Sequence, residues 1–398
     1  MLPVSGPRYL IIVGRRHPEQ FALLTQLFAD DKAIAVLVDR RHPGRETTSR
    51  GLSRSTERRR GRPVDDQLHT LGAAVVRASP IKASHAPPGI AAPEGIGRIR
   101  ADEAARWDDV VLFRYRTDRP TRHTVPVLFV APPSLRPDIF DLAPGLSMVE
   151  HFTAQGLDVF VLDFGSPDPT RCPGFQQYVD QLGSAVERAC DISGATTTTL
   201  LGYGFAVLYA ALQPVRVANL VTVATPVDFS MAGPIYRAAH IVDAEALSGV
   251  VGNVAGKWIR DQVAWWSTYV MPEHSFRLWL ESSSHVDDPE YWKRQALVAR
   301  WLNDMRPFSG VAYREFVREL VQANRLARRE LRIGERLVDP AQISCPVLVA
   351  AHSDDVLMPP SCAMALLGLA GSRDLEGFSV SEGATGTSTF WSAAKGRR

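Results

Sequence analysis

Five apolar, β-branched runs constrain the fold of this chain more than any other feature. They are VPVLFVAPP (125–133), LDVFVLDFG (157–165), TTLLGY (198–203), ANLVTVATPVDF (218–229) and CPVLVAAHSDD (345–355). Each is apolar without alternation, which suits a central strand covered on both faces. VVLFRYR (110–116) alternates, as a half-covered strand does. Helix-like segments fall between the runs at 145–155, 175–192, 205–213 and 361–370. Strands alternating with helices predict an α/β fold with a doubly wound, mostly parallel sheet. Between about residues 230 and 339 the pattern changes to helices rich in Trp and Arg. This insertion separates two core strands, where a lid over an active site would sit; a packing appendage fits the pattern equally.

The N-terminal quarter reads separately. RYLIIVG (8–14) is a strand, 18–30 carries Phe21, Leu24, Leu27 and Phe28 at helical spacing, and AIAVLVD (33–39) is a second strand. Nine arginines against two glutamates lie between Arg40 and Arg62, among Gly, Ser and Thr. Such a stretch buries little apolar surface and is expected to be a solvated loop rather than an anion or nucleic-acid module. Residues 64–72 read as a short helix and AAVVR as a strand. The expected organisation is a small Arg-rich α/β domain at 1–78, a Pro/Ala/Gly-rich linker at 79–107, and a larger α/β domain at 108–398.

Bulk composition narrows the class. A chain of 398 residues with 45% hydrophobic and 22% charged residues is globular, and a net charge of +2 names no partner. No run approaches the roughly 20 apolar residues of a membrane span. The start MLPVSGPRYLIIVG lacks a signal peptide's basic region and cleavage site, so a cytoplasmic location is expected. Cys172, Cys190, Cys345 and Cys362 have no metal-type spacing and read as free thiols. No metal or cofactor is expected.

The segments APPSLRPDIFDL, GLDVFVLDFGSPD, LLGY, YAALQP, NLVTVATPVDF and ISCPVLVAAHSDDVLMPPS, in this order and spacing, resemble the catalytic subunit of class III polyhydroxyalkanoate synthases, from about residue 108 onward. The resemblance implies an α/β-hydrolase fold and covalent acyl transfer. A cysteine on a sharp strand-to-helix turn attacks the thioester of a 3-hydroxyacyl-CoA and CoA leaves; a histidine deprotonates the cysteine and the incoming hydroxyl, and an aspartate orients the histidine. A thiol with a pKa near 8.5 needs such a base at neutral pH. The turn also offers backbone N–H groups to the developing oxyanion.

Mapped residue by residue, the triad is incomplete. The strand ends Leu200-Leu201-Gly202-Tyr203-Gly204 and runs straight into Phe205-Ala206-Val207. Either about four residues carrying the cysteine are missing here, or Gly204 itself occupies the nucleophile position; neither provides an attacking side chain. Cys172 and Cys190 lie upstream and are no substitutes. Asp355, in Asp355-Val356-Leu357-Met358-Pro359-Pro360, matches the orienting acid, ahead of its neighbour Asp354; the alternative is a carboxylate capping the helix near Ser361. Ala384, in Gly383-Ala384-Thr385-Gly386, stands where the resemblance places the histidine. His352 reads as a packed strand histidine.

The functional expectation is a polyhydroxyalkanoate synthase homologue, an acyltransferase polymerising 3-hydroxyacyl-CoA, with impaired catalysis. The alternative is a non-catalytic partner of a synthase accessory subunit, an active synthase or the storage-granule surface. Trp258, Trp265, Trp266, Trp279, Trp292 and Trp301 in the insertion could serve such contacts, but core packing is the favoured reading. Nucleic acid is not an expected partner.

Overall fold

The computed structural model describes residues 9–13, 18, 21, 22, 25, 34–38 and 73–77 of the N-terminal part. Further on it describes 101–116, 121–167, 172–233, 236, 239, 253, 254, 285, 287–353, 355 and 358–380. Two compact units divide at Gly89 and Ile90. In the first, β1 (Tyr9–Val13) pairs in parallel with β2 (Ile34–Val38) and antiparallel with β3 (Ala73–Arg77), giving the order β2-β1-β3. The Arg40–Arg62 stretch, the helix read at 64–72 and most of the linker read at 79–107 lie outside the described residues.

The second unit is built on an eight-stranded sheet. Its strands are β4 (Ala101–Trp107), β5 (Val110–Tyr115), β6 (Val127–Val130), β7 (Val159–Asp163), β8 (Thr198–Gly202), β9 (Val217–Val223), β10 (Val347–His352) and β11 (Leu375–Val380). They lie in the order β4-β5-β7-β6-β8-β9-β10-β11. Only β5 runs antiparallel to its neighbours; every pairing from β7 to β11 is parallel. This is the α/β-hydrolase arrangement expected from the sequence. β4 extends the sheet into the stretch that composition reads as linker: ADEAARW has no β-branched residue and finds its place by pairing with β5 at the sheet edge.

Both faces of the sheet are covered. One carries α2 (Phe175–Ser193), α3 (Phe205–Leu212) and α6 (Pro360–Leu369) over Leu112, Leu128, Phe160, Leu200, Leu220 and Val349, all fully buried. The other carries α1 (Met148–Ala154) over Phe129, Val159, Val161 and Leu201. Period-two alternation thus sends successive residues of each strand into two different cores, which is why the runs look uniformly apolar.

The described part of the insertion is packed structure. α4 (Pro289–Asn303) ends with Trp301 buried and its Nε1–H donating to the Arg136 carbonyl at 2.9 Å. α5 (Gly310–Glu315) passes directly into a π-helical segment at 316–322, and Ala312, Val317, Leu320, Val321, Leu326, Leu331 and Ile333 are buried. Trp292, also on α4, is half-buried, its Nε1–H donating to the His285 carbonyl. Trp258, Trp265, Trp266 and Trp279 lie outside the described residues. No described helix is long and apolar enough to cross a membrane.

Candidate functional site

The loops that follow β6, β8, β9 and β10 all emerge at the carboxyl edge of the sheet, where α/β proteins place their sites. The central connection is the shortest: Tyr203 and Gly204 alone join β8 to α3. Two glycines bound it for different reasons. At Gly202 a Cβ would lie 2.1 Å from the Val130 carbonyl oxygen, so the two strand ends approach too closely for any side chain. At Gly204 a Cβ would meet none of the described residues within 4 Å. A side chain at this position would therefore enter space that the described residues leave open.

The turn itself is well bonded. Tyr203 N–H donates to the Val130 carbonyl (3.1 Å), and the Tyr203 carbonyl accepts from Ala206 N–H (2.9 Å). The Gly204 carbonyl accepts from Val207 N–H (3.0 Å) and Leu208 N–H (3.2 Å), starting the helix. Gly204 has φ −9° and ψ −55°, outside the left-handed region. Thr225, buried just beyond β9, donates its hydroxyl to the Gly202 carbonyl at 3.3 Å and to Val223 O at 3.2 Å, tying the neighbouring strand end to the turn.

Asp355 follows β10 and is only 7% exposed. Its N–H donates to the His352 carbonyl, and its Oδ1 accepts from Met358 N–H at 2.8 Å. The carboxylate thus organises the turn before α6; the α6 N-cap is Pro359, with no side-chain cap. Its charge is also felt across the site. Burial, and then Asp355, push the Tyr203 phenol above the ordinary tyrosine range. Burial acts first on Tyr236 as well, with Asp355, Cys362 and Tyr313 adding to the upward shift. Asp355 is therefore coupled to the residue next to Gly204 in the chain. Ala384 and Asp354 lie outside the described residues.

Burial pushes Cys362, in the first turn of α6, up to about 11; the thiols of Cys190 and Cys345 are also raised by burial. A thiol held protonated is a poor nucleophile at neutral pH. Cys172 sits, partly buried, in the loop before α2. His352 is 1% exposed within the sheet.

Around the site, the entry and exit of the insertion are stapled. Asn324, itself in the left-handed region at φ 49°, accepts from Phe229 N–H at 2.9 Å and donates to Asp228 Oδ1 at 2.8 Å. Burial works against the Asp228 charge, yet hydrogen bonds from Ser230 and Asn324 leave its carboxyl below the ordinary range. Tyr236 packs edge-on to Phe229 and Phe316 at 5.4 and 6.3 Å. Tyr203, Tyr236, Thr225 and Asn324 were not singled out in the sequence. Only Tyr203 carried a signal, as the residue between Gly202 and Gly204 in the strand-to-helix turn.

Comparison with known proteins finds relatives over about two thirds of the chain. The poly(3-hydroxyalkanoate) polymerase subunit PhaC of Allochromatium vinosum is 30% identical over 280 residues, covering 67% of this chain and 77% of that protein. The subunit of the same name from Synechocystis is 29% identical over 284 residues, covering 68% and 74%. No family model matches. Among solved structures, a monoacylglycerol lipase of Paleococcus ferrophilus aligns with 68% of this chain and 88% of its own at 15% identity and a TM-score of 0.43. An enol-lactonase of Burkholderia xenovorans aligns with 72% and 94% at 15% identity and a TM-score of 0.40.

Proposed function

Because the chain belongs to the poly(3-hydroxyalkanoate) polymerase subunit PhaC family, we propose that it keeps that family's acyl-thioester site but does not turn it over. The observation that carries this reading is Gly204: a glycine with open space beside it occupies the strand-to-helix turn where the family's chemistry needs a cysteine. The substrate class is a 3-hydroxyacyl-CoA thioester. Asp355 is the surviving member of the triad, Gly204 the degenerate nucleophile position and Ala384 the degenerate histidine position. Without a nucleophile, a triad leaves only the residual effect of binding and oxyanion contacts.

A second reading follows from the same pairing of an intact fold with an empty turn. The chain acts as a non-catalytic partner of an active synthase, of an accessory subunit or of the granule surface, in the cytoplasm where such granules form. Here the fold is retained for its contacts rather than its chemistry.

The test is CoA release from 3-hydroxybutyryl-CoA by the purified chain, alone and mixed with an accessory synthase subunit. The expected result is no release above a heat-killed control, together with saturable binding of the thioester or of a synthase. Release well above the control overturns the reading of Gly204.

A further inference from the structure

β11 ends the eight-stranded sheet, pairing with β10 along one edge and with no described strand along the other. The Asp374 carbonyl accepts from Val347 N–H and the Val380 carbonyl from Ser353 N–H, both at 2.9 Å. Backbone groups alternate in direction along a strand, so Asp374, Glu376, Phe378 and Val380 turn theirs toward β10. Leu375, Gly377 and Ser379 turn their N–H and C=O groups to the open edge.

The side chains of this strand are exposed as well. Gly377 faces α6, where a Cβ would lie 2.7 Å from side-chain atoms of Leu367 and Met364. Phe378 therefore points to the opposite face, beside Ala350 of β10, and is 38% exposed. Leu375, on the α6 face, is 37% exposed. Native edge strands are commonly blunted by lysine, proline, a bulge or an inward charge. β11 has no Lys, Arg or Pro, keeps unbroken register with β10, and carries Glu376 as its one charge.

Such an edge is a template for another strand, and its own copy fits it. A two-fold axis normal to the sheet sets β11 antiparallel to itself, with each contact made twice. Opposed residues then share a face, so the axis passes through a single residue. Centring on Glu376 sets two carboxylates directly opposite, which is destabilising. Centring on Gly377 leaves no side chains to pack on the axis and sets Phe378 against Glu376. Centring on Phe378 brings the two rings together at a non-hydrogen-bonded position, where opposed side chains approach most closely. Glu376 then lies against Val380, away from its counterpart, while Gly377 and Ser379 exchange backbone bonds with Ser379 and Gly377 of the copy. Two six-residue strands bury less than the roughly 1,200 Å² of a stable standard interface. The association is accordingly expected in the micromolar range, not the nanomolar.

We propose that the open edge of β11 is a homodimer interface, in which two copies join their sheets through antiparallel pairing centred on Phe378.

The experiment is sedimentation velocity of the full chain from about 1 to about 100 μM, with F378K, S379P and the control V215K. F378K sets two ammonium groups opposite each other. S379P removes an N–H that faces the open edge and leaves the bonds to β10 in place. Val215, 78% exposed and outside the sheet, controls for loss of surface apolar area. A monomer–dimer equilibrium is expected, weakened at least about tenfold by F378K and by S379P and unchanged by V215K. Oxidative cross-linking fixes the register and decides the matter should S379P not fold. Opposed non-hydrogen-bonded residues have Cα atoms about 4.5 Å apart, within reach of a disulfide, so F378C is expected to link to its copy. L375C, about 20 Å from its counterpart in this register, is not. A monomer at every concentration overturns the proposal, because the edge is then bare or filled from within the chain. So does a dimer indifferent to F378K, or linking of L375C as readily as F378C.

Discussion

The guanidinium of Arg306 grips the carboxylate of Asp163 through both oxygens, fastening the segment after α4 to the carboxyl end of β7. The second of the two contacts is 3.0 Å, and the same segment donates Arg306 N–H to the Ser134 carbonyl at 3.0 Å. The side chains are 19% and 13% exposed. Asp163 Oδ1 also accepts from Gly165 N–H. This part of the insertion is therefore anchored at the carboxyl end of β7.

Removing one member of the pair leaves a largely buried charge unmatched. R306A is expected to cost about 3 kcal/mol, read from the denaturant midpoint. The double variant R306A/D163A is expected to recover part of that loss, since neither charge then remains alone. A double variant no more stable than R306A would show that the pair is not coupled.

The two glycines of the strand-to-helix turn separate cleanly by substitution. G202A forces a Cβ against the Val130 carbonyl and is expected to cost 3 kcal/mol or more, or to prevent folding. G204A, entering open space, is expected to stay within about 1 kcal/mol of wild type. G204C is expected to fold and to gain one thiol reactive toward a disulfide reagent, without gaining CoA release, because the proposed mapping puts Ala384 rather than a histidine at the position of the base. Rapid turnover by G204C would show that another base serves the site.

Glu315 caps a helix from 140 residues away. Its carboxylate accepts from Phe175 N–H at 2.6 Å, at the start of α2, where Gly174 has no side chain to do so. E315A is expected to cost about 1–2 kcal/mol, and E315Q much less, because an amide oxygen can still accept. Burial raises the Glu315 pKa, partly opposed by the Phe175 hydrogen bond. The folded state thus holds this proton more tightly than the unfolded state does. The associated stability is full below the unfolded carboxylate pKa and is lost as pH rises through the higher folded value. Melting curves across that window are expected to show this slope in wild type and not in E315Q.

Asp355 is expected to be replaceable by Asn but not by Ala as far as folding goes. D355A leaves Met358 N–H without its acceptor, at about 1–2 kcal/mol; D355N keeps an oxygen there. Thermal melts of the two variants check the ordering, and an equal loss in both would place the effect in the charge instead.

What the sequence revealed depended on how local its cause was. The runs that became β6 to β10 were legible because both of their faces are buried, which leaves an uninterrupted apolar signature. β11, LEGFSV, was not, since all but its last residue are exposed and it is held chiefly by pairing with β10. The insertion read as helical, but periodicity does not say against what a helix packs, so the burial of Leu320 and Val321 in the main core was hidden. At the site, Gly202 and Gly204 look alike in the text and differ in their surroundings. Asn324 and Asp228 meet across a sequence separation of 96, and no local pattern announces such a contact.

The two-residue passage from β8 to α3 also bears on where this lineage can go. Its hydrogen bonds run without interruption from the strand end into the first turn of the helix, so the passage is closed as it stands. On the proposed reading, a cysteine at position 204 would supply a sulfur atom but would neither lengthen the connection nor provide a distant imidazole. A return to the relatives' chemistry would then need an insertion and a second, separate replacement, and on that reading such a loss behaves as a ratchet.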